Sequence, residues 1–290
     1  MTLNVLVNNL SLTYGSYPAL KDVSFMLNEP KIYGLLGRNG AGKTSLLSIL
    51  ASFQEQTSGA ISIGGEVPFE NAKIMQDVSF IFSKDYKDES DNVKEALKYV
   101  ARYRSQFDAK YAEYLVGKFK LPLKKPIKEF SKGMQSALNV TIGLASRSPI
   151  TIFDEAYLGM DAPTRDIFYR ELLEDQSNHP RIIILSTHLV SEMDYLFDEV
   201  IILHKGSIVL QEDFESLITK GSSITGAKEV VDEFVLSMKQ LNTQQLGNTK
   251  SVMVFGELND RDRKVAQQKG LEVGPISLQD LFIHLTEGDD

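Results

Sequence analysis

Gly37-Arg38-Asn39-Gly40-Ala41-Gly42-Lys43-Thr44 fits the spacing G-x-x-x-x-G-K-[ST]. The segment follows an apolar run, Ile32–Leu36, and opens a helical one beginning at Ser45. That is the context in which such a loop binds phosphate. Its glycines let the chain curl so that successive N–H groups, Ser45's included, point at phosphate oxygens. The helix behind adds the positive end of its dipole. Lys43 is placed to neutralise the β- and γ-phosphates of a nucleotide, and the Thr44 hydroxyl to ligate magnesium. A second constellation lies far along the chain. Ile150-Thr151-Ile152-Phe153-Asp154-Glu155 is an apolar strand ending in two carboxylates. Asp154 can hold magnesium through water, and Glu155 can accept the proton of an attacking water. Together these residues predict nucleotide binding with hydrolysis.

Positioning such groups requires a sheet whose strands share one ligand-facing edge. Strands are predicted at Leu3–Leu12, Val23–Leu27, Ile32–Leu36, Gly59–Ile63 and Val78–Phe82, then at Ile150–Phe153, Ile182–Ser186, Glu199–Leu203 and Ile208–Gln211. His204-Lys205-Gly206 reads as the turn of a hairpin between the last two. Residues 85–147 change character: an acidic, solvated loop at 85–91, then helices at Val93–Ser105, Ala109–Lys120 and Ser131–Ser146. A helix is expected at Pro163–Asp175, and a Gly-Ser-Ser linker at 221–223. The remainder reads as a small unit with helices near 226–240, 258–268 and 278–286 and strands near 250–255 and 271–276. The predicted organisation is thus a cassette over 1–220, with a helical subdomain at about 85–147, and an accessory domain over 221–290.

At 290 residues the chain is long enough for about two domains. It carries 42% apolar and 24% charged residues, no cysteine, and a formal charge of −8. Thiolate chemistry, disulfides and cysteine-based zinc sites are excluded. The acidic balance argues against nucleic acid as a partner. No apolar run approaches the ~18 residues of a membrane span, and no basic-then-apolar leader opens the chain. The expected location is the cytoplasm.

Further segments complete a set. Phe130-Ser131-Lys132-Gly133-Met134 begins a helix before Asp154, and Leu158-Gly159-Met160-Asp161 follows Glu155. Ser186-Thr187-His188 closes a strand, and Tyr14 is followed by Gly15. In this order the chain resembles the ATP-binding subunits of ABC transporters over residues 1 to about 218. The resemblance implies an α/β cassette of the P-loop NTPase class, with a mixed-sheet core, an antiparallel β subdomain and a helical subdomain, followed by a small α+β tail. It implies ATP and Mg2+ as cofactors and a head-to-tail homodimer around two ATP. One subunit would supply Tyr14 against adenine, the 37–44 loop, Asp154, Glu155, and His188 on the γ-phosphate. The other would supply Ser131 and Gly133, and Asp161, in the loop that follows Glu155, is implied among the nucleotide-binding residues. In the family a glutamine ends the strand Val78–Phe82 and touches magnesium, and here the aligned residue is Ser83. Lys132 and Met134 likewise depart from the signature's glycine and glutamine.

The resemblance further implies a separate transmembrane permease, with this chain peripheral to the inner face of the membrane. The tail segment 273–286 resembles the ending of ATPases from exporters of peptides, lantibiotics and drugs, phenol-soluble-modulin exporters among them. The alternative from another class is a soluble ABC-type switch acting in translation or DNA repair. Tyr99, Tyr103, Phe107, Tyr111 and Tyr114 recur at helical spacing; a packed helical core is the expectation, and a groove for a short permease helix the alternative. His179, His204 and His284 read as structural or solvated.

Overall fold

A computed structural model describes residues 3–84 and 86–287 of the chain. The chain divides into two compact units: the residues up to His188 together with Ile201–Gln211, and Leu189–Val200 together with the residues from Glu212 onward. The stretch 189–200, placed within the cassette by sequence, thus lies with the tail.

In the first unit, β1 (Val5–Tyr14) is flanked by β2 (Tyr17–Leu27) and β4 (Ser58–Ile63) in an antiparallel sheet. Val5, Val7, Leu10 and Leu12 of β1 are buried. Their period-two alternation slips where the register breaks between Val7 and Leu10. β3 (Ile32–Leu36), β5 (Val78–Phe82), β6 (Ile150–Asp154), β7 (Ile182–Thr187), β8 (Glu199–His204) and β9 (Ser207–Asp213) form a six-stranded sheet in the order β5-β6-β7-β3-β8-β9. Every residue of β3, β6 and β7 is buried. That is why they read as unbroken apolar runs, as parallel strands covered on both faces do.

The helices of this unit are α1 (Lys43–Leu50), the short α2 (Ala72–Met75), α3 (Val93–Tyr103), α4 (Ala109–Lys118), α5 (Lys132–Ser146) and α6 (Ala162–Asn178). Their starts follow capping chemistry. Asn92 and Glu95 form a reciprocal capping box, and the side chains of Asp108, Ser131 and Asp161 accept N–H bonds in the first turns of α4, α5 and α6. The accepted N–H bond holds the Asp108 carboxyl below its usual pKa, and the bond with Thr164 does the same for Asp161.

Two expectations about residues 85–114 are overturned. The 85–91 loop is not wholly solvated: Tyr86 is buried and its hydroxyl donates to Asn139 on α5. Burial pushes that phenol up to about 12. Asp85 lies outside the described residues. The aromatic ladder is not a packed core either. Tyr99 is 61% and Tyr103 63% exposed, and their rings lie against each other on the surface of α3. Tyr111 and Tyr114 instead aim their hydroxyls at buried Glu171 of α6.

The second unit comprises α7 (Val190–Met193), α8 (Phe214–Thr219), β10 (Gly221–Ala227), α9 (Lys228–Phe234), β11 (Lys239–Leu246), β12 (Thr249–Phe255), α10 (Asp260–Gln268), β13 (Glu272–Pro275) and α11 (Leu278–Leu285). Its sheet runs β11-β12-β10-β13, and its core gathers Ile224, Val231, Val235, Val252, Val254 and Ala266. The expected linker at 221–223 is therefore an inner strand, hydrogen-bonded antiparallel on both sides. Its small residues suit a tight fit: a Cβ on Gly221 would lie 2.3 Å from the Ile276 side chain. The helix expected over 226–240 stops at Phe234, because Lys239–Leu246 pairs with β12 along its length.

Candidate functional site

Strand register assembles the site. Leu36 pairs with Thr187, Asp154 with Ser186, and Phe82 with Asp154. Four parallel strands therefore end at one level. The phosphate loop, Glu155, His188 and Ser83 are the residues immediately beyond that level, brought together from positions scattered along the sequence.

The loop itself depends on glycine where the chain turns into α1. Gly42 has φ of 106°, and a Cβ there would sit 2.7 Å from the Ala19 carbonyl oxygen. No other residue type fits both conditions. Behind it the Lys43 ammonium donates to the Gly37 carbonyl at 2.8 Å and lies 3.3 Å from Glu155 Oε1. The same carboxylate oxygen is 3.0 Å from His188 Nδ1. Thr44 Oγ1 donates to Asp154 Oδ2 at 2.7 Å. Lys43, Glu155 and His188 thus form one cluster, and Thr44 and Asp154 another beside it.

A cleft of about 560 Å³ opens over these groups. Its walls include Tyr14, Asn39, Gly40, Gly42, Lys43, Thr44, Ser45, Ser83, Asp154 and Glu155. Gly37, Arg38, Ala41 and His188 do not line it; His188 meets the lining residue Glu155. Ser131, Gly133 and Asp161 lie elsewhere. Ser131 Oγ accepts the Met134 N–H, and Asp161 accepts the Thr164 N–H. Gly133 abuts the loop after Glu155, where a Cβ would meet the Gly159 carbonyl oxygen at 2.6 Å.

Sequence reasoning passed over several wall residues. Tyr17 faces Tyr14 across the β1–β2 register, and both line the cleft. Phe53, Phe80 and Phe82 form an aromatic cluster along its far wall, with centroids 4.9 to 5.8 Å apart. The alternation of β5 and the turn Gly15-Ser16 between two tyrosines carried the available signals.

A hydroxyl and a carboxylate held together beside a phosphate loop suit a hard cation, which takes oxygen donors. Among the described residues no group of three or more His, Asp or Glu side chains could hold a metal alone.

The profile of the ABC transporter family matches residues 20–158. An uncharacterised ABC transporter ATP-binding protein of Methanocaldococcus jannaschii is 30% identical over 96% of this chain and 97% of its own length. The chain belongs to the ATP-binding proteins of ABC transporters. A bacitracin transport ATP-binding protein of Bacillus licheniformis is 27% identical over 99% of both chains. A solved ATP-binding subunit of an ABC transporter superposes with a TM-score of 0.67, at 26% identity over 73% of this chain and 91% of that one. The ABC cassette fold, the ATPase activity and nucleotide binding follow from this membership. Among the described residues no helix is long and apolar enough to cross a membrane.

Proposed function

We propose that this ABC protein is the ATP-hydrolysing subunit of an exporter whose membrane-spanning part is a separate polypeptide. The observation that carries the proposal is the convergence of Lys43 and His188 on one carboxylate oxygen of Glu155 at the mouth of the phosphate loop. In this reading Lys43 and the N–H groups of 37–45 grip the phosphates. Glu155 takes the proton of the attacking water, and His188 holds Glu155 and the γ-phosphate in line. Thr44 and Asp154, with Ser83 at the cleft wall, would hold magnesium, which supplies neutralisation of developing phosphate charge.

Two copies act together. Ser131 and Gly133 stand outside their own chain's cleft, at a helix N-terminus whose free N–H groups suit phosphate. A second copy arranged head to tail would bring them over the γ-phosphate, leaving Asp161 beside the shared boundary. Tyr14 would stack on adenine. The exposed Tyr99–Tyr103 pair gives a short cytoplasmic helix of the permease an aromatic surface to seat on. The proposed cargo is a peptide, in keeping with the full-length likeness to the bacitracin transport protein. The reading as a soluble switch in translation or DNA repair is not favoured, because the relatives are named as transporter proteins.

The test is Glu155→Gln. With ATP and magnesium the purified variant should sediment as a dimer and turn over at least ~100-fold more slowly than the parent, the contribution of a general base. Turnover at the parent rate would remove Glu155 from the role.

A further inference from the structure

Glu155 adopts a conformation that a glutamate rarely occupies. Its φ is 46°, in the left-handed region, at the point where the chain leaves β6. Such a residue persists only where its surroundings hold it. One buried hydroxyl does so. Ser186, 1% exposed and paired with Asp154 in the β6–β7 register, accepts the Glu155 N–H at 3.1 Å and donates to Asp154 Oδ1 at 2.5 Å. A serine hydroxyl has one proton and two lone pairs. Here the proton goes to the carboxylate that faces the phosphate loop, and a lone pair goes to the backbone of the neighbouring glutamate. The next residue braces the same loop: Thr187 Oγ1 and the Tyr157 hydroxyl are 2.8 Å apart.

We propose that Ser186 is a positioning residue that ties the Asp154 carboxylate to the backbone of Glu155, so that the metal-holding and proton-accepting groups keep one fixed relation. The inference rests on the roles proposed above for Asp154 and Glu155. That leaves Oδ2, which accepts the Thr44 hydroxyl, as the Asp154 oxygen turned toward a cation. Without the Ser186 hydroxyl, Oδ1 loses its donor and the Glu155 N–H loses its acceptor. The carboxylate can then swing and the strained turn can relax. Both changes leave in place the backbone of the loop that grips the phosphates, and reach it only at the Thr44 and Lys43 side chains that meet the two carboxylates.

The experiment compares the parent with Ser186→Ala, Ser186→Thr and Ser186→Cys, with Glu155→Gln as control. A fluorescent ATP analogue gives affinity in EDTA and the magnesium concentration that half-saturates the magnesium-dependent signal; steady-state hydrolysis gives kcat and KM. Ser186→Ala should lower kcat by about 10–100-fold and raise the half-saturating magnesium concentration, as loss of a group that orients a metal ligand does. Its affinity in EDTA should not fall below the parent value. Ser186→Thr, which keeps the hydroxyl, should restore both magnesium response and kcat. Parent-like magnesium response and kcat in Ser186→Ala overturn the proposal, as does equal impairment of the Ala and Thr variants. Should Ser186→Ala lose affinity in EDTA, as a folding defect would cause, the near-isosteric Ser186→Cys decides. Its thiol is a weak donor, so a parent-like response there also overturns the proposal. Full hydrolysis by Glu155→Gln would instead strike the underlying reading of the site.

Discussion

Lys43 is engaged before any nucleotide arrives. Its side chain is 6% exposed, and the ammonium lies 3.3 Å from Glu155 Oε1, whose side chain is 19% exposed. ATP must draw that cation away from the glutamate. Neutralising Glu155 should therefore strengthen ATP binding as well as stop turnover. At 3.3 Å the attraction is about 5 kcal/mol for an effective dielectric near 20. Most of that offsets the dehydration of a buried and a half-buried charge, and the Gly37 carbonyl keeps its bond to Lys43 in either case. A net effect of about 1 kcal/mol remains, which corresponds to roughly fivefold in affinity.

The measurement is the dissociation constant of ATP for Glu155→Gln and the parent, by equilibrium fluorescence in EDTA at low protein concentration. Working without magnesium separates nucleotide binding from hydrolysis. ADP serves as the second ligand. It lacks the γ-phosphate, so a gain confined to ATP reports lost repulsion between Glu155 and that phosphate. A gain shared by ADP reports the freeing of Lys43. The expected result is a gain for both. An unchanged or weaker affinity for both nucleotides would refute the competition argument, since it would show that the ion pair costs the nucleotide nothing.

Two further outcomes are expected. Arg181→Met should destabilise the chain by up to about 3 kcal/mol in urea unfolding, because it strips the almost wholly buried Asp175 of its 2.8 Å partner and leaves it Arg147 at 3.3 Å; adding Asp175→Leu should recover part of the loss. Gly133→Ala should lower stability by up to about 2 kcal/mol, because overpacking against the Gly159 carbonyl outweighs the gain in helix propensity. Urea midpoints check both.

The catalytic half of the fold was legible because its signals are local. A buried parallel strand must be apolar throughout, so β3, β6 and β7 stood out as unbroken runs. Their ends carry the polar chemistry, so the phosphate loop, Asp154 with Glu155, and His188 could be found at the C-terminal end of each run. Nothing local reported Ser186 or Tyr17, whose roles exist only in pairing across strands. Nor did the aromatic spacing from Tyr99 to Tyr114 separate two environments. The same interval of four residues places Tyr99 and Tyr103 outward on α3 and directs Tyr111 from α4 toward Glu171.

The tail was less legible for a different reason. Its strands are polar: Lys239–Leu246 contains no β-branched residue except Thr243, and Gly221–Ala227 contains two glycines and two serines. Such sequences form strands because neighbours supply the hydrogen bonds, as β12 does for both. Intrinsic preference, which favours turn or linker for Gly-Ser-Ser, is overridden by pairing on two sides. The apolar residues that could be read, such as Ile224, Val252 and Val254, mark only the face turned to the small core. The opposite face of the sheet is held by hydroxyls, with Ser251 linked to Ser223 and Thr225 at 3.1 and 2.8 Å. A chain whose strands are specified from one face and by partners gives little pattern to any single segment. Its architecture appears only when the segments are read together.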